Sequence, residues 1–319
     1  MDEILRLFPK TYQDTMQKQI GNRWGKLQEI RLRLRQPIEL IFDHQVEWME
    51  NLVPHERIAT YVMNQLSEFS LYRLEDELRL GFITIEGGHR VGLSGKVNTI
   101  NGAVKAIKYI TFLNIRIAKQ KIGVAKPLIP YLFERNTYVN TLIVGAPQTG
   151  KTTLIRDLTR MISTGWKYVP GKKVCVIDER SEIAGSIKGI PQHEVGQRTD
   201  VLDACPKAEG MMMMIRSMSP EVLIVDEIGS HQDVQALLEA VHAGVVVICT
   251  IHGQSLTELK KRPSLALLFE QNVFSRTVII ENNVGLPGKI KYIYNGQEKN
   301  IYQKSRCLPG EMDRGTSVH

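Results

Sequence analysis

Residues 141–158 read TLIVGAPQTGKTTLIRDL, an apolar run, a GxxxxGK(S/T) loop and an amphipathic stretch in direct succession. That context of strand, Gly-rich loop and helix separates a phosphate-binding loop from a chance match to the pattern. Gly145 and Gly150 let the backbone curl so that successive amide hydrogens converge on phosphate oxygens, and the following helix adds its positive end. The expected nucleotide cradle is therefore Gly145, Ala146, Pro147, Gln148, Thr149 and Gly150, with Lys151, Thr152 and Thr153 opening the helix. Lys151 is expected to bridge β- and γ-phosphates, and Thr152 to offer its hydroxyl to Mg²⁺.

Two more apolar runs end in carboxylates. EVLIVDEIG carries Asp226 and Glu227 at its tip, the layout of a Walker B strand. Asp226 is then placed to hold a magnesium shell, and Glu227 to polarise the attacking water. The apolar run of KVCVIDERSEI ends in Asp178 and Glu179. Ligands of open α/β sheets bind outside the carboxyl ends of the strands, so both acid pairs are candidates to face one site. Glu179 is either a second water-orienting acid or an ion-pair partner of Arg180.

From Asn140 onward, short apolar runs alternate with amphipathic stretches, the pattern of a parallel sheet covered on both faces. Before that, period-two alternation on either side of Pro37, a helical stretch at about 55–80 and three hairpin-like runs suggest a small α+β unit. The expected division is an N-terminal α+β domain at 1–120, a linker and entry helix at 121–139, an ATPase-type α/β domain at 140–307 and a frayed tail at 308–319. The length of 319 residues and apolar content of 43% suit two folded domains. Cys175, Cys205, Cys249 and Cys307 form no CxxC pair and read as thiols of a reducing compartment. The acidic start argues against an export signal, and no window reads as a bilayer span. A net charge of +7 favours anionic partners.

EAVHAGVVVICTIHG places His242 at a helix end and His252 just past a strand whose Thr250 is expected beside the phosphates. For His242, capping of the helix C-terminus competes with a catalytic role. Arg90, Arg116, Arg198 and Arg216 are candidates for a guanidinium that stabilises transition-state charge. Met211 to Met214 read as helix core.

In that order, GAPQTGKTT, VIDERSEI, MIRSMSPEVLIVDEIGSHQD and EAVHAGVVVICTIHG resemble the stage III sporulation AA family, RecA-like ATPases related to the type II and type IV secretion ATPases. The resemblance runs from Phe8 to Leu308. It implies an α/β fold with a RecA-like P-loop NTPase core, ATP and Mg²⁺ as ligands, and catalytic roles for Glu227, Lys151, Glu179, His252 and Arg116. It also implies a homo-oligomer, a hexameric ring, with nucleotide held between the N- and C-terminal domains. The cellular setting it implies is the mother cell of an endospore former, in the cytoplasm, peripheral to the membrane through channel proteins of the sporulation complex. Secretion ATPases usually carry Gly-Glu where this chain has Asp226-Glu227. The alternative is a nucleic-acid-dependent ATPase, but the Arg-rich run IRLRLR lacks the interleaved aromatics on which bases stack.

Overall fold

The computed structural model describes residues 1–43, 45–67, 78, 81–100, 103–281 and 288–303. The first part is an antiparallel sheet of β1 (Leu27–Arg33), β2 (Ile38–Phe42), β3 (Val46–Met49), β4 (Phe82–Ile85), β5 (His89–Ile100) and β6 (Ala103–Arg116), in the order β3-β2-β1-β6-β5-β4. Alternation does the sorting: Ile30 and Leu32 of β1 are buried, whereas Arg31 and Arg33 turn outward to pair with Glu29 and Glu39. The helices Lys10–Ile20 and Glu56–Leu66 lay Met16, Ile20, Val62 and Leu66 on the apolar face. The second helix is the one expected at 55–80; residues 68–77 and 79–80 of that stretch lie outside the described residues.

Where a linker and entry helix are expected at 121–139, the chain makes a 3-10 turn, Ile129–Leu132, and a small hairpin of β7 (Phe133–Glu134) and β8 (Thr137–Tyr138). Pro127 and Pro130 leave too few consecutive donors for an α-helix, whereas one turn accepts a proline at its start. Leu128, Ile129 and Leu132 are fully buried against Ile155 and Leu158.

The second sheet holds β9 (Thr141–Gly145), β12 (Val174–Asp178), β13 (Thr199–Asp203), β14 (Val222–Val225), β15 (Val246–His252), β16 (Arg276–Glu281) and β17 (Lys289–Asn295). A two-strand ribbon, β10 (Gly165–Trp166) and β11 (Val169–Pro170), stands apart from it. The order is β13-β12-β14-β15-β9-β16-β17, parallel throughout except for the antiparallel edge strand β17. Strands β13, β16 and β17 are additions to those read from the sequence.

Neighbouring residues on one strand serve opposite layers. Leu142 and Val144 of β9 pack with the helices Lys207–Met218 and His231–His242, and Ile143 packs with the helix Lys151–Thr164. Both faces are thus covered, so these strands read as unbroken apolar runs. Met211 and Met214 face the core, while Met213 and Met218 are exposed. Cys175 and Cys249 are buried free thiols and Cys205 is half-buried; Cys307 and the tail at 308–319 lie outside the described residues. Among the described residues no helix is long and apolar enough to cross a membrane.

Candidate active site

The loop between β9 and the helix Lys151–Thr164 turns at Gly150, whose φ of 88° is open to glycine and costly for other residues. Gly145 is required for a different reason: a Cβ there would lie 2.5 Å from Ile280 Cγ1 and 2.6 Å from Thr149 Oγ1. Thr149 braces the loop through Oγ1, which donates to the Ala146 carbonyl at 2.8 Å, and its own carbonyl accepts from Gly288 N at 2.8 Å.

Lys151 is buried and donates to the carbonyls of Gly145 at 3.0 Å and Ala146 at 3.1 Å. Burial pushes its pKa down, opposed by the carboxylates of Glu227 and Asp226. Its Nζ also lies 3.0 Å from His252 Nδ1. An ammonium only donates, so Nδ1 accepts, and the remaining ring proton sits on Nε2, 2.8 Å from Glu227 Oε1. Sequence placed these three residues at positions 151, 227 and 252; β9, β14 and β15 bring them into one line of close polar contacts.

Thr152 Oγ1 donates to Asp226 Oδ2 at 3.1 Å. The other Asp226 oxygen accepts from Thr250 Oγ1, and Thr250 Oγ1 in turn accepts from the Glu227 amide at 2.8 Å. Thr250 is therefore committed to the acid pair rather than to the phosphate loop. Desolvation pushes the Asp226 carboxyl above the ordinary carboxylate range; the Thr250 and Thr152 hydroxyls oppose the rise and Glu227 adds to it. One carboxylate beside one hydroxyl suits Mg²⁺, which keeps several waters and takes its other ligands from phosphate oxygens. The glycine cradle and this pair together fit a magnesium-bound nucleoside triphosphate.

Glu227 sits at φ 53°, a left-handed conformation that few non-glycine residues adopt. Its second oxygen lies 3.3 Å from Arg180 Nη1. Glu179 is turned away to Lys207, so the ion pair weighed between Glu179 and Arg180 does not form. Asp178 is an internal cap: its carboxylate accepts the amides of Glu182 at 2.8 Å, Ile183 at 3.2 Å and Ala184 at 2.8 Å.

The arginine candidates part company. Arg90 reaches the loop after β12, as described below. Arg116 is its register partner on β6, is exposed, and makes no ion pair among the described residues. Arg198 donates to the Gly171 carbonyl, beyond the end of β12 opposite Asp178, and Arg216 lies in the last turn of its helix. His242 ends the helix His231–His242, about 16 Å of helical rise from the end nearer Glu227.

Sequence reasoning missed Arg156. It is 8% exposed, and its Nε donates to the Ile183 carbonyl at 2.6 Å while Nη2 donates to that of Glu182 at 2.5 Å. The available signal was a charged pair, Arg156-Asp157, among the apolar positions of LIRDLTRMI. Burial lowers the Arg156 pKa, opposed by Asp178, Asp226 and Glu182.

Residues 1–301 match the family described as Sporulation stage III, protein AA. Stage III sporulation protein AA of Bacillus subtilis (strain 168) is 52% identical over 305 residues, covering 96% of this chain and 98% of that protein. Two solved structures share the architecture at low identity. The pilus retraction motor PilT with bound ADP superposes at a TM-score of 0.58 and 15% identity, over 83% of this chain and 77% of that one. The ATPase DotB of Legionella pneumophila does so at 0.55 and 14%, over 85% and 76%. The sheet is thus the RecA-like P-loop fold of the secretion ATPases. With its match extending from Met1 across both sheets, the chain belongs to the sporulation stage III AA family.

Proposed function

We propose that this chain hydrolyses ATP to ADP and phosphate and uses the cycle as a motor of the secretion-ATPase kind. One observation carries the reading: the His252 ring stands between Lys151, hydrogen-bonded to Nδ1, and Glu227, within ion-pair distance of Nε2, beside the Thr152–Asp226 pair at the carboxyl ends of adjacent parallel strands.

Gly145 to Thr153 cradle the phosphates, with the amides of the loop and the start of the helix as donors. Lys151 exchanges carbonyl oxygens for phosphate oxygens, a favourable exchange for a cation held in a dry cleft. Thr152 and Asp226 would hold Mg²⁺, which neutralises charge building on the phosphate oxygens. Glu227 accepts a hydrogen bond from the attacking water, whose oxygen bonds to the γ-phosphorus as the bridging oxygen leaves with ADP. His252 orients Glu227, and Glu179 and Arg116 are assigned to the site by family resemblance, Arg116 completing it with a free guanidinium.

The wider setting follows the family: a homo-oligomeric ring, probed as a hexamer, in the mother-cell cytoplasm and bound to membrane channel proteins of the sporulation complex. A P-loop core shared with PilT and DotB supports the motor reading.

The test is calorimetric titration of the purified chain with Mg·ATP, followed by phosphate release. Saturable binding and turnover, both lost in Lys151→Ala, are expected. Absence of binding in folded protein sinks the proposal, and a tenfold stimulation by single-stranded DNA at physiological salt favours the nucleic-acid-dependent alternative.

A further inference from the structure

Arg90, on β5, crosses from the antiparallel sheet to the loop that follows β12. Its Nη2 donates to the Arg180 carbonyl at 2.6 Å and its Nη1 lies 3.3 Å from Glu182 Oε1. The guanidinium stacks on the Phe82 ring, with its carbon 4.1 Å from the centroid, so the side chain is braced on the strand beside its own.

The inner part of that loop needs no such help. Asp178 accepts the amides of residues 182–184, and Arg156 takes the carbonyls of Glu182 and Ile183. The outer part is different. Ser181 sits at φ 51° and is tied by its hydroxyl to Asp203 Oδ1 at 2.6 Å, and the carbonyl just before it is the one Arg90 grips.

From this anchored main chain, the mostly exposed Arg180 side chain extends to Glu227 Oε2 at 3.3 Å. An exposed pair between two freely moving side chains contributes little, because ordering both offsets the attraction. Fixing the Arg180 main chain removes part of that cost. Glu227 for its part is held on both oxygens, by Arg180 and His252, in a left-handed backbone conformation that leaves it one narrow range of directions.

We propose that Arg90 is a positioning residue for Glu227, acting through the Arg180 main chain, so that the aim of the acid depends on how the N-terminal sheet seats against this loop. The inference rests on the hydrolytic role proposed for Glu227. It makes Arg90 a strut on a loop rather than a phosphate ligand, and the two roles differ in what they do to binding and to turnover.

Two measurements on the full chain decide it. Hydrogen exchange of the nucleotide-free protein is expected to quicken about tenfold in a peptide spanning 179–184 when Arg90→Ala is introduced, with the 145–153 peptide unchanged. In steady-state kinetics, Arg90→Ala and Arg180→Ala each lower kcat about tenfold with KM for ATP within twofold. The double variant is no slower than either, because both substitutions cut one route. Arg90→Lys, which keeps a donor for the Arg180 carbonyl, recovers most of the rate. Arg180 is exposed, so its variant tests the route even if Arg90→Ala folds poorly.

Unchanged exchange at 179–184, a multiplicative hundredfold loss in the double variant, or a raised KM with intact kcat would each overturn the assignment. A wild-type chain that binds Mg·ATP without turnover would instead refute the hydrolytic reading, and the exchange arm would still decide whether Arg90 sets the loop.

Discussion

The imidazole of His252 links Lys151 to Glu227, with Nδ1 3.0 Å from the Lys151 ammonium and Nε2 2.8 Å from the carboxylate. The lysine proposed to hold phosphate and the acid proposed to activate water are thereby joined through a single ring. His252→Ala is expected to lower kcat about tenfold while leaving nucleotide affinity within about twofold, since the ring aims the acid without bonding the phosphates. Steady-state kinetics beside calorimetry checks this, and an unaltered kcat would make the ring a bystander.

Glu227→Gln keeps the shape of the acid and removes its basicity. Turnover is expected to fall by about 10² to 10⁴, the range attached to a positioned acid–base group. ATP should still titrate with near wild-type affinity, because the loop and Lys151 are untouched. Phosphate release at saturating Mg·ATP is the measurement, and turnover at the wild-type rate would move the base elsewhere.

Gly145→Ala introduces a methyl group between Ile280 and Thr149, at 2.5 and 2.6 Å. Overpacking of this kind costs about 1–3 kcal/mol. A melting temperature several degrees lower, together with weakened nucleotide binding, is expected. A melt superimposable on wild type would show that the strand can shift to accept the methyl.

His193, 9% exposed, lies where the two sheets meet. A Cβ on Gly88 would come 2.7 Å from its ring. Burial first, then the Arg156 guanidinium, then His89 lower its pKa from 6.5 to about 4. A folded-state pKa below the unfolded one means that acid favours the unfolded chain. The neutral ring's contribution, on the order of 3 kcal/mol, is complete above pH 6.5 and is lost as pH falls towards 4. Burial depresses His89 in the same direction. Thermal melts between pH 6.5 and 5 should fall for the wild type and fall less steeply for His193→Gln; parallel slopes would remove His193 from the account.

The centre of the ATPase-type sheet was legible because strands buried on both faces must be apolar from end to end, as in LIV, VCVI, LIV and VVICTI. The phosphate loop was legible because its glycines are dictated by backbone geometry. Edge strand β13 escaped because Thr199–Asp203 is only half covered and reads TDVLD, as a polar loop would. The entry helix was overread because the prolines at 127 and 130 fit a helix start equally well, and only packing against Ile155 and Leu158 selects the single turn. Within the site, the identities of Lys151, Asp226, Glu227 and His252 were readable. The contacts of Arg156 and Arg180 were not, since they depend on a loop conformation that sequence does not display. Glu179 illustrates the same limit, because its pairing with Lys207 depends on where a helix begins after β13.

Among the described residues the apolar core falls into three clusters, one built from residues 4–117 and two from 125 onward. What bridges them includes polar contacts: Arg90 on the 180–182 loop, Gly87 N to Gln192, and the reciprocal Gln120–Glu194 bonds at 2.9 and 3.0 Å. Water can replace such partners one for one. Breaking these links would cost only polar contacts that water can take over, with the apolar clusters on either side still covered.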